Sequence, residues 1–111
     1  LAEEPVGGDN VEQLIAEVDE AGKALLARPN GDHLHRFREA VKKFLVLAVR
    51  KSFRVHVVEG RGAHPKLYVV VEKIESRLDE LARHVLAAHR NPLRLLAQVE
   101  ELRGLLLDLK T

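Results

Sequence analysis

The spacing of apolar residues is the feature that most constrains how this chain can fold. In four segments, apolar residues recur at intervals of three and four positions, which places them on one face of an α-helix. The four stripes are Val11, Leu14, Val18, Ala21 and Leu25; Leu34, Phe37, Val41, Phe44 and Ala48; Leu67, Val71, Ile74, Leu78, Leu81 and Val85; and Leu95, Val99, Leu102, Leu106 and Leu109. The sequence therefore predicts an all-α fold, an antiparallel bundle of about four helices.

Residues that favour helix starts stand at or near the beginning of each stripe. Asn10 and Asp32 carry side-chain oxygens that can accept the first backbone N–H groups of a helix, so they are predicted to cap the first and second helices. Pro65 is predicted as the first residue of the third helix, where its missing N–H carries no penalty. Asn91 followed by Pro92 combines both signals at the start of the fourth helix.

The link between the second and third helices has a mixed pattern. Phe53, Val55 and Val57 alternate with polar residues, and this period of two predicts a short extended segment. The motif GRGAHP follows and has the composition of a turn, and helical spacing returns from Leu67 onward. The predicted bundle therefore has one extended or loop crossover between its second and third helices.

Glycines and charged residues inside the predicted helices suggest specific contacts. Gly22 and Gly104 each weaken a helix by about 1 kcal/mol relative to alanine, so both are predicted to lie where two helices approach closely. Three pairs of charged or polar residues one turn apart are predicted to interact on helix surfaces: Glu39 with Lys43, Asp79 with Arg83, and Glu80 with His84.

The length of 111 residues is typical of one domain, and 46% hydrophobic residues are enough to form a core. Residues 1–9 are acidic and contain glycine and proline, so we interpret them as a flexible tail ahead of a single helical domain at 10–111. The apolar runs are far shorter than the ~20 residues that span a bilayer, and no signal-peptide pattern opens the chain. We therefore expect a cytoplasmic protein with no membrane association.

Three segments resemble a known family. HLHRFREAVKKFL, KLYVVVEKIESRLDEL and LLAQVEELRGLLLDL are similar to segments of the YaaR-like proteins, an uncharacterised bacterial group, and the RGLLLDL ending is the most distinctive part. The resemblance covers residues from about 11 to 109. It implies an all-helical fold and a cytoplasmic location. The family has no assigned biochemical activity, so the resemblance supplies no catalytic residues.

The sequence contains no pattern typical of an active site or a cofactor site. The GRG at 60–62 lacks the third glycine of a dinucleotide fingerprint, and no pair of the six histidines has the i, i+4 spacing of a helical metal site. No serine lies in a nucleophile motif, and the absence of cysteine excludes disulfides and thiolate zinc sites. We therefore predict a protein that is not an enzyme, with no metal, cofactor or small-molecule substrate.

Charge is distributed unevenly along the chain. Residues 1–32 contain eight acidic and two basic side chains, whereas residues 33–66 contain nine basic and two acidic ones. The basic residues that flank the predicted crossover form the candidate partner-binding site: Lys42, Lys43, Arg50, Lys51, Arg54, Arg61 and Lys66. These side chains either pair with the acidic first helix, remain solvated, or bind an acidic protein or a nucleic acid.

The function predicted from these features is a protein–protein interaction or scaffold module. Apolar residues in excess of one stripe on the second and fourth helices suggest a surface for another protein or for a second copy of the chain. The alternative is a nucleic-acid-associated protein that uses the basic segment 36–66. A recognised nucleic-acid motif is missing, and aromatic residues make up only 4% of the chain, so the alternative is the less favoured one.

Overall fold

A computed structural model of the protein describes the backbone of residues 8–58 and 65–110, and the side chains of residues 11–51 and 66–110. Four α-helices make up nearly all of this backbone. They are α1 (Gly8–Ala27), α2 (Gly31–Val58), α3 (Pro65–Val85) and α4 (Pro92–Lys110). No strand occurs within these ranges, so the predicted all-α bundle is confirmed.

Salt bridges between helices show how the bundle is arranged. Each helix packs against the next one along the chain, and α4 closes the bundle by packing against α1 as well. On α1, Glu12 and Asp19 are seven residues apart, and their partners on α4, Lys110 and Arg103, are seven residues apart in the opposite chain direction. This register shows that α1 and α4 run antiparallel, as expected for an up-and-down four-helix bundle.

The two short links lie at the same end of the bundle, which we call the loop end. Residues 28–30 join α1 to α2, and residues 86–91 join α3 to α4. The start of α1 and the end of α4 lie together at the opposite end, where the Nζ atom of Lys110 is 2.7 Å from the Glu12 carboxylate.

The core is formed by the apolar stripes that the sequence predicts. Its fully buried side chains include Phe37, Phe44, Leu25, Ile74, Leu81, Leu102 and Leu106. Among the described residues, no polar or charged side chain is buried, and no buried side-chain nitrogen or oxygen lacks a partner. Each large apolar side chain contributes roughly 1.5–3 kcal/mol on burial, so this apolar interior accounts for most of the favourable folding energy.

Asparagine side chains cap α2 and α4. Asn91 Oδ1 accepts the backbone N–H groups of Leu93 and Arg94 at 3.0 and 3.2 Å, as predicted. For α2 the prediction was wrong: the cap is Asn30, whose Oδ1 accepts the N–H of His33 at 2.8 Å. Asp32 lies in the first turn instead, where its negative charge faces the positive end of the helix dipole.

Two other predicted boundaries differ from the structure. Helix α1 begins at Gly8, two residues before the predicted cap Asn10, and so includes the last two residues of the predicted tail. The predicted extended segment at Phe53–Val57 is helical, because α2 continues to Val58. Phe53 and Val57 are four residues apart, so the same apolar residues that alternate also fit a helix face. The predicted start of α3 at Pro65 is confirmed.

The predicted tail up to residue 7 and most of the predicted GRGAHP turn, residues 60–64, lie outside the described residues. In the described part of the chain, no helix is both long enough and apolar enough to cross a membrane.

The two helical glycines differ in their surroundings. Gly22 is buried, and a Cβ atom at this position would lie 3.2 Å from Val99 Cγ1 and 3.4 Å from Phe37 Cε1. Gly22 therefore allows α1 to approach α2 and α4 closely, as predicted. The same prediction is wrong for Gly104, where a Cβ atom would meet no neighbour within 4 Å.

Candidate interaction surface

Five of the basic residues predicted to bind a partner have side chains that the structure describes, and two of these five lie near carboxylates. Lys42 Nζ is 3.8 Å from Glu39 in the preceding turn, and Lys43 Nζ is 3.9 Å from Glu17 in α1. Both lysines remain largely exposed, so these contacts are weak surface ion pairs. The pairing of Lys43 with α1 is one of the arrangements that the charge distribution predicts.

Three more of these basic residues lie in the C-terminal part of α2 or at the start of α3. Arg50 and Lys66 are exposed and Lys51 is half-buried, and none of the three forms an ion pair within the described part of the chain. The side chain of Arg54 and all of Arg61 lie outside the described residues. The partner-binding site formed by all seven basic residues therefore stays a prediction.

The three predicted pairs within helices are replaced by other partners. Glu39 contacts Lys42 rather than Lys43. Asp79 lies 4.0 Å from Arg38 of α2 rather than beside Arg83. On a helix, a charged residue is close to the positions both three and four residues away, and a residue on the adjacent helix can be equally close. Sequence spacing alone therefore does not determine which of these residues becomes the ion-pair partner.

His84 joins the end of α3 to the start of α4, and the predicted pair with Glu80 is wrong. Its Nε2 atom lies 3.1 Å from the backbone nitrogen of Asn91 and accepts that N–H. The other ring nitrogen, Nδ1, lies 2.7 Å from Gln98 Oε1. Because Nε2 accepts, a neutral ring must carry its proton on Nδ1, which then donates to Gln98. Both ring nitrogens serve a structural role at the loop end.

Two arginines cross-link α4 to its neighbours. Arg77 Nε of α3 donates to Glu101 Oε2 at 2.8 Å, and Arg103 donates from Nε and Nη2 to the two carboxylate oxygens of Asp19 at 2.6 and 3.3 Å. These hydrogen bonds, followed by the attraction between opposite charges, raise the pKa of Arg77 and of Arg103. Both side chains therefore stay charged and hold helices together.

Metal binding has no evident site in the residues that the structure describes. No three histidine, aspartate or glutamate side chains in residues 11–51 and 66–110 are grouped closely enough to hold an ion.

An apolar groove crosses the loop end of the bundle. It is lined on one side by Leu26, Ala27 and Pro29 and on the other by Ala88, Arg90, Pro92, Leu93, Leu95 and Leu96. Leu93 leaves 77% of its surface exposed and Leu96 leaves 42% exposed. Two large apolar side chains three residues apart on α4 therefore face solvent beside Leu26 and Pro29.

A basic depression lies next to the apolar groove and shares Arg90 with it. It is lined by Glu80, Arg83, His84, Ala87, His89, Arg90, Asn91 and Arg94. Arg90 Nη1 donates to the backbone carbonyl of Val85 at 2.9 Å, which fixes the guanidinium without neutralising its charge. This part of the loop end therefore combines exposed leucines with Arg83, Arg90 and Arg94, and only one carboxylate lines the depression.

This surface is not among the features predicted from the sequence, although the sequence carries a signal for it. Residues 81–99 contain Arg83, Arg90 and Arg94 and no acidic residue. Their proximity to Leu26 and Pro29 depends on the folded bundle, because the two loops are about sixty positions apart in the sequence.

Fold and surface together define a small up-and-down helical bundle with a cross-linked exterior and an exposed apolar and basic end. The chain belongs to the family described as "Protein of unknown function (DUF327)", whose model matches residues 3–110. The resemblance to YaaR-like proteins is confirmed by this match and by a relative in Bacillus subtilis (strain 168), the uncharacterized protein YaaR. The two sequences are 26% identical over 93% of this chain and 72% of the relative.

Two solved structures have the same fold. The crystal structure of an uncharacterized protein from Bacillus halodurans superposes with a TM-score of 0.83 at 28% sequence identity, covering 93% of this chain and 86% of the other. A designed granulopoietic protein called Moevan also gives a TM-score of 0.83, at 20% identity over 99% of this chain and 100% of the other. The likeness to Moevan concerns the fold alone.

Proposed function

We propose that this protein is a non-enzymatic interaction module of the cytoplasm that binds another protein. The observation that carries the proposal is the exposure of large apolar side chains outside a well-packed core, above all Leu93, which is 77% exposed beside Leu96 in the groove. Adjacent exposed apolar residues in a concave surface are typical of interaction sites, whereas isolated ones are common on any protein.

The proposal of a non-enzymatic role is supported by the surroundings of the ionisable groups. Catalytic acids, bases and nucleophiles are typically desolvated and have shifted pKa values. In the described part of the chain, no charged side chain is buried, and the pKa shifts of Arg77 and Arg103 arise from salt bridges between helices. The polar contacts seen in the structure fit roles in holding the bundle together.

The cytoplasmic location is supported by the cysteine-free sequence and by the resemblance to YaaR-like proteins. A reducing compartment does not favour disulfides, so a chain without cysteine suits it.

The proposal is tested by cross-linking followed by isolation of a partner. The full chain, tagged after residue 111, is expressed in the source organism, cross-linked and purified, and each candidate partner is then made separately. We expect at least one purified partner to bind in a titration calorimetry experiment. A chain that remains monomeric by light scattering and binds none of its candidates would overturn the proposal.

Nucleic-acid binding through the basic segment 36–66 is the second candidate function. Its support is that Arg50, Lys51 and Lys66 form no ion pair within the described part of the chain. Fluorescence anisotropy with short DNA and RNA at two salt concentrations tests it, because binding to phosphates weakens steeply as salt rises. The matched variants are Arg50→Glu with Lys51→Glu, compared with Arg28→Glu at the loop end. No binding at low salt excludes this function.

A further inference from the structure

We propose that the loop end binds an acidic amphipathic helix of a partner protein. The helix would place its apolar side chains in the groove of Leu26, Pro29, Leu93 and Leu96 and its carboxylates over Arg83, Arg90 and Arg94. This inference rests on the proposed interaction function and names the surface and the chemistry of the partner.

The apolar half of the surface fits a helix that inserts side chains. The groove lies between the α1–α2 link and the start of α4, so it is concave and bordered on both sides. Leu95 forms part of its floor and is only 2% exposed, whereas Leu93 is 77% exposed and projects beside it. Helices commonly bind such grooves through apolar residues spaced three and four apart, because this spacing forms one continuous face.

The basic half of the surface determines the charge of the partner. Arg83 and Arg94 are exposed, and neither forms an ion pair among the residues that the structure describes. Arg90 is bound to a neutral carbonyl, so its positive charge also lacks a described counter-ion. Glu80, the single carboxylate in the depression, lies 3.8 Å from Arg77. Three positive charges therefore stand beside the groove, and carboxylates of a partner would complement them.

The combination favours a protein segment over a nucleic acid. No phenylalanine, tyrosine or tryptophan side chain on which a base could stack lines the groove or the depression, and of the two histidines there, His84 is held by Asn91 and Gln98. Apart from Arg90, the apolar half is lined by hydrocarbon side chains, and leucine side chains from a helix would exclude water from it. A single helix with leucines on one face and glutamates along its edge satisfies both halves at once.

A designed peptide provides a direct probe. The peptide carries leucines at helical spacing and glutamates along one edge, and two control peptides have lysines in place of the glutamates or the same residues in scrambled order. NMR titration of the full chain with the acidic peptide is expected to shift the amides of residues 26–30 and 86–97. Binding of the lysine peptide with equal affinity, or no binding of the acidic peptide, would overturn the inference.

Two pairs of variants separate the apolar from the basic contribution. We expect Leu93→Ser with Leu96→Ser, and separately Arg83→Glu with Arg94→Glu, to weaken binding of the acidic peptide by about fivefold or more. The controls are Val46→Ser with Val69→Ser, which are exposed apolar residues of α2 and α3, and Arg36→Glu on α2. The charge-reversed protein should also gain affinity for the lysine peptide. Thermal unfolding by circular dichroism checks that each variant is folded.

The same variants distinguish this inference from the broader proposal. If a purified partner binds the wild-type chain and the Leu93 and Leu96 variant equally well, the interaction function stands and this surface is wrong. If the loop-end variants lose binding to anionic lipid vesicles or to DNA but leave the acidic peptide unaffected, the inferred partner class is wrong.

Discussion

A methyl group of Val99 in α4 packs against the backbone of Gly22 in α1, so that a Cβ atom on Gly22 would lie only 3.2 Å from Val99 Cγ1. The ring of Phe37 limits the same space, at 3.4 Å from its Cε1 atom. Both neighbours are stiff, because valine is branched at Cβ and Phe37 is fully buried. Helices α1, α2 and α4 therefore meet at Gly22, where the lack of a side chain makes room for Phe37 and Val99.

Alanine substitutions at the two helical glycines are expected to differ in effect. Gly104→Ala should raise the free energy of unfolding by roughly 0.5–1 kcal/mol, because alanine favours the helix and meets no neighbour. Gly22→Ala gains the same helix preference but compresses Val99 and Phe37, and overpacking of a core typically costs about 1–3 kcal/mol. Urea denaturation of both variants measures the difference. Equal stabilisation by the two substitutions would contradict the close contact at Gly22.

The cap of α2 leads to a second prediction. Asn30→Ala should lower the free energy of unfolding by about 0.5–2 kcal/mol, since the N–H of His33 loses its acceptor. Asp32→Ala removes only an interaction with the helix dipole, for which about 0.3–1 kcal/mol is typical at low salt. Urea denaturation in low and high salt separates the two effects, because urea is uncharged and does not screen the helix dipole. A larger loss for Asp32→Ala would assign the cap to that residue.

His84 leads to a third prediction. His84→Ala removes two hydrogen bonds of the half-buried ring, to the Asn91 N–H and to Gln98, and should destabilise the chain by roughly 1–2 kcal/mol. The matched control is His35→Ala, because His35 is exposed on α2. Hydrogen exchange at the Asn91 amide should accelerate in the His84 variant. Unchanged exchange at that amide would mean that the ring does not protect it.

The salt bridge between Asp19 and Arg103 leads to a fourth prediction. Arg103→Lys should lower the melting temperature more than Arg36→Lys does, because lysine cannot donate two parallel hydrogen bonds to one carboxylate. Asp19→Asn, made in the wild-type chain and in the Arg103→Lys variant, completes a double-mutant cycle. A coupling free energy of zero would show that the pair contributes nothing to stability.

The raised pKa of Arg103 also predicts how the stability contributed by this salt bridge changes with pH. The pKa of Arg103 is raised by the hydrogen bond to Asp19. The stabilisation from charged Arg103 is therefore fully present below the pKa that this guanidinium has in the unfolded chain. It is lost only in strongly alkaline solution. Titration of Arg103 itself should leave the melting temperature unchanged between about pH 5 and pH 9.

The helices could be predicted from the sequence because helix formation depends on residues that are close together along the chain. The spacing of residues such as Phe37, Val41 and Phe44 is set by the helix repeat, and it identified the core without knowledge of the neighbouring helices. Asn91 and Pro92 were equally clear. By contrast, Asn30 and Asp32 are both good caps two residues apart, so the choice between them depended on where the chain leaves α1.

Features that depend on the contacts between helices were predicted less well. The sequence treats Gly22 and Gly104 alike, and only the position of α4 shows that one is enclosed and the other faces solvent. The loop-end surface was missed for the same reason, since Pro29 and Leu93 become neighbours only when the bundle closes. The basic segment drew attention in the sequence through its run of charges, yet Lys43 faces Glu17 of the acidic first helix.

The meeting of Glu12 with Lys110 bears on how this bundle could be joined to other proteins. A polypeptide fused ahead of α1 or after α4 would leave the molecule on the side where these residues lie, about 20 Å along α1 from its link to α2. A solid support, fluorescent protein or neighbouring domain attached there would leave Leu93 and Leu96 facing away from the attachment point. A fusion ahead of α1 or after α4 would therefore leave the proposed loop-end surface accessible.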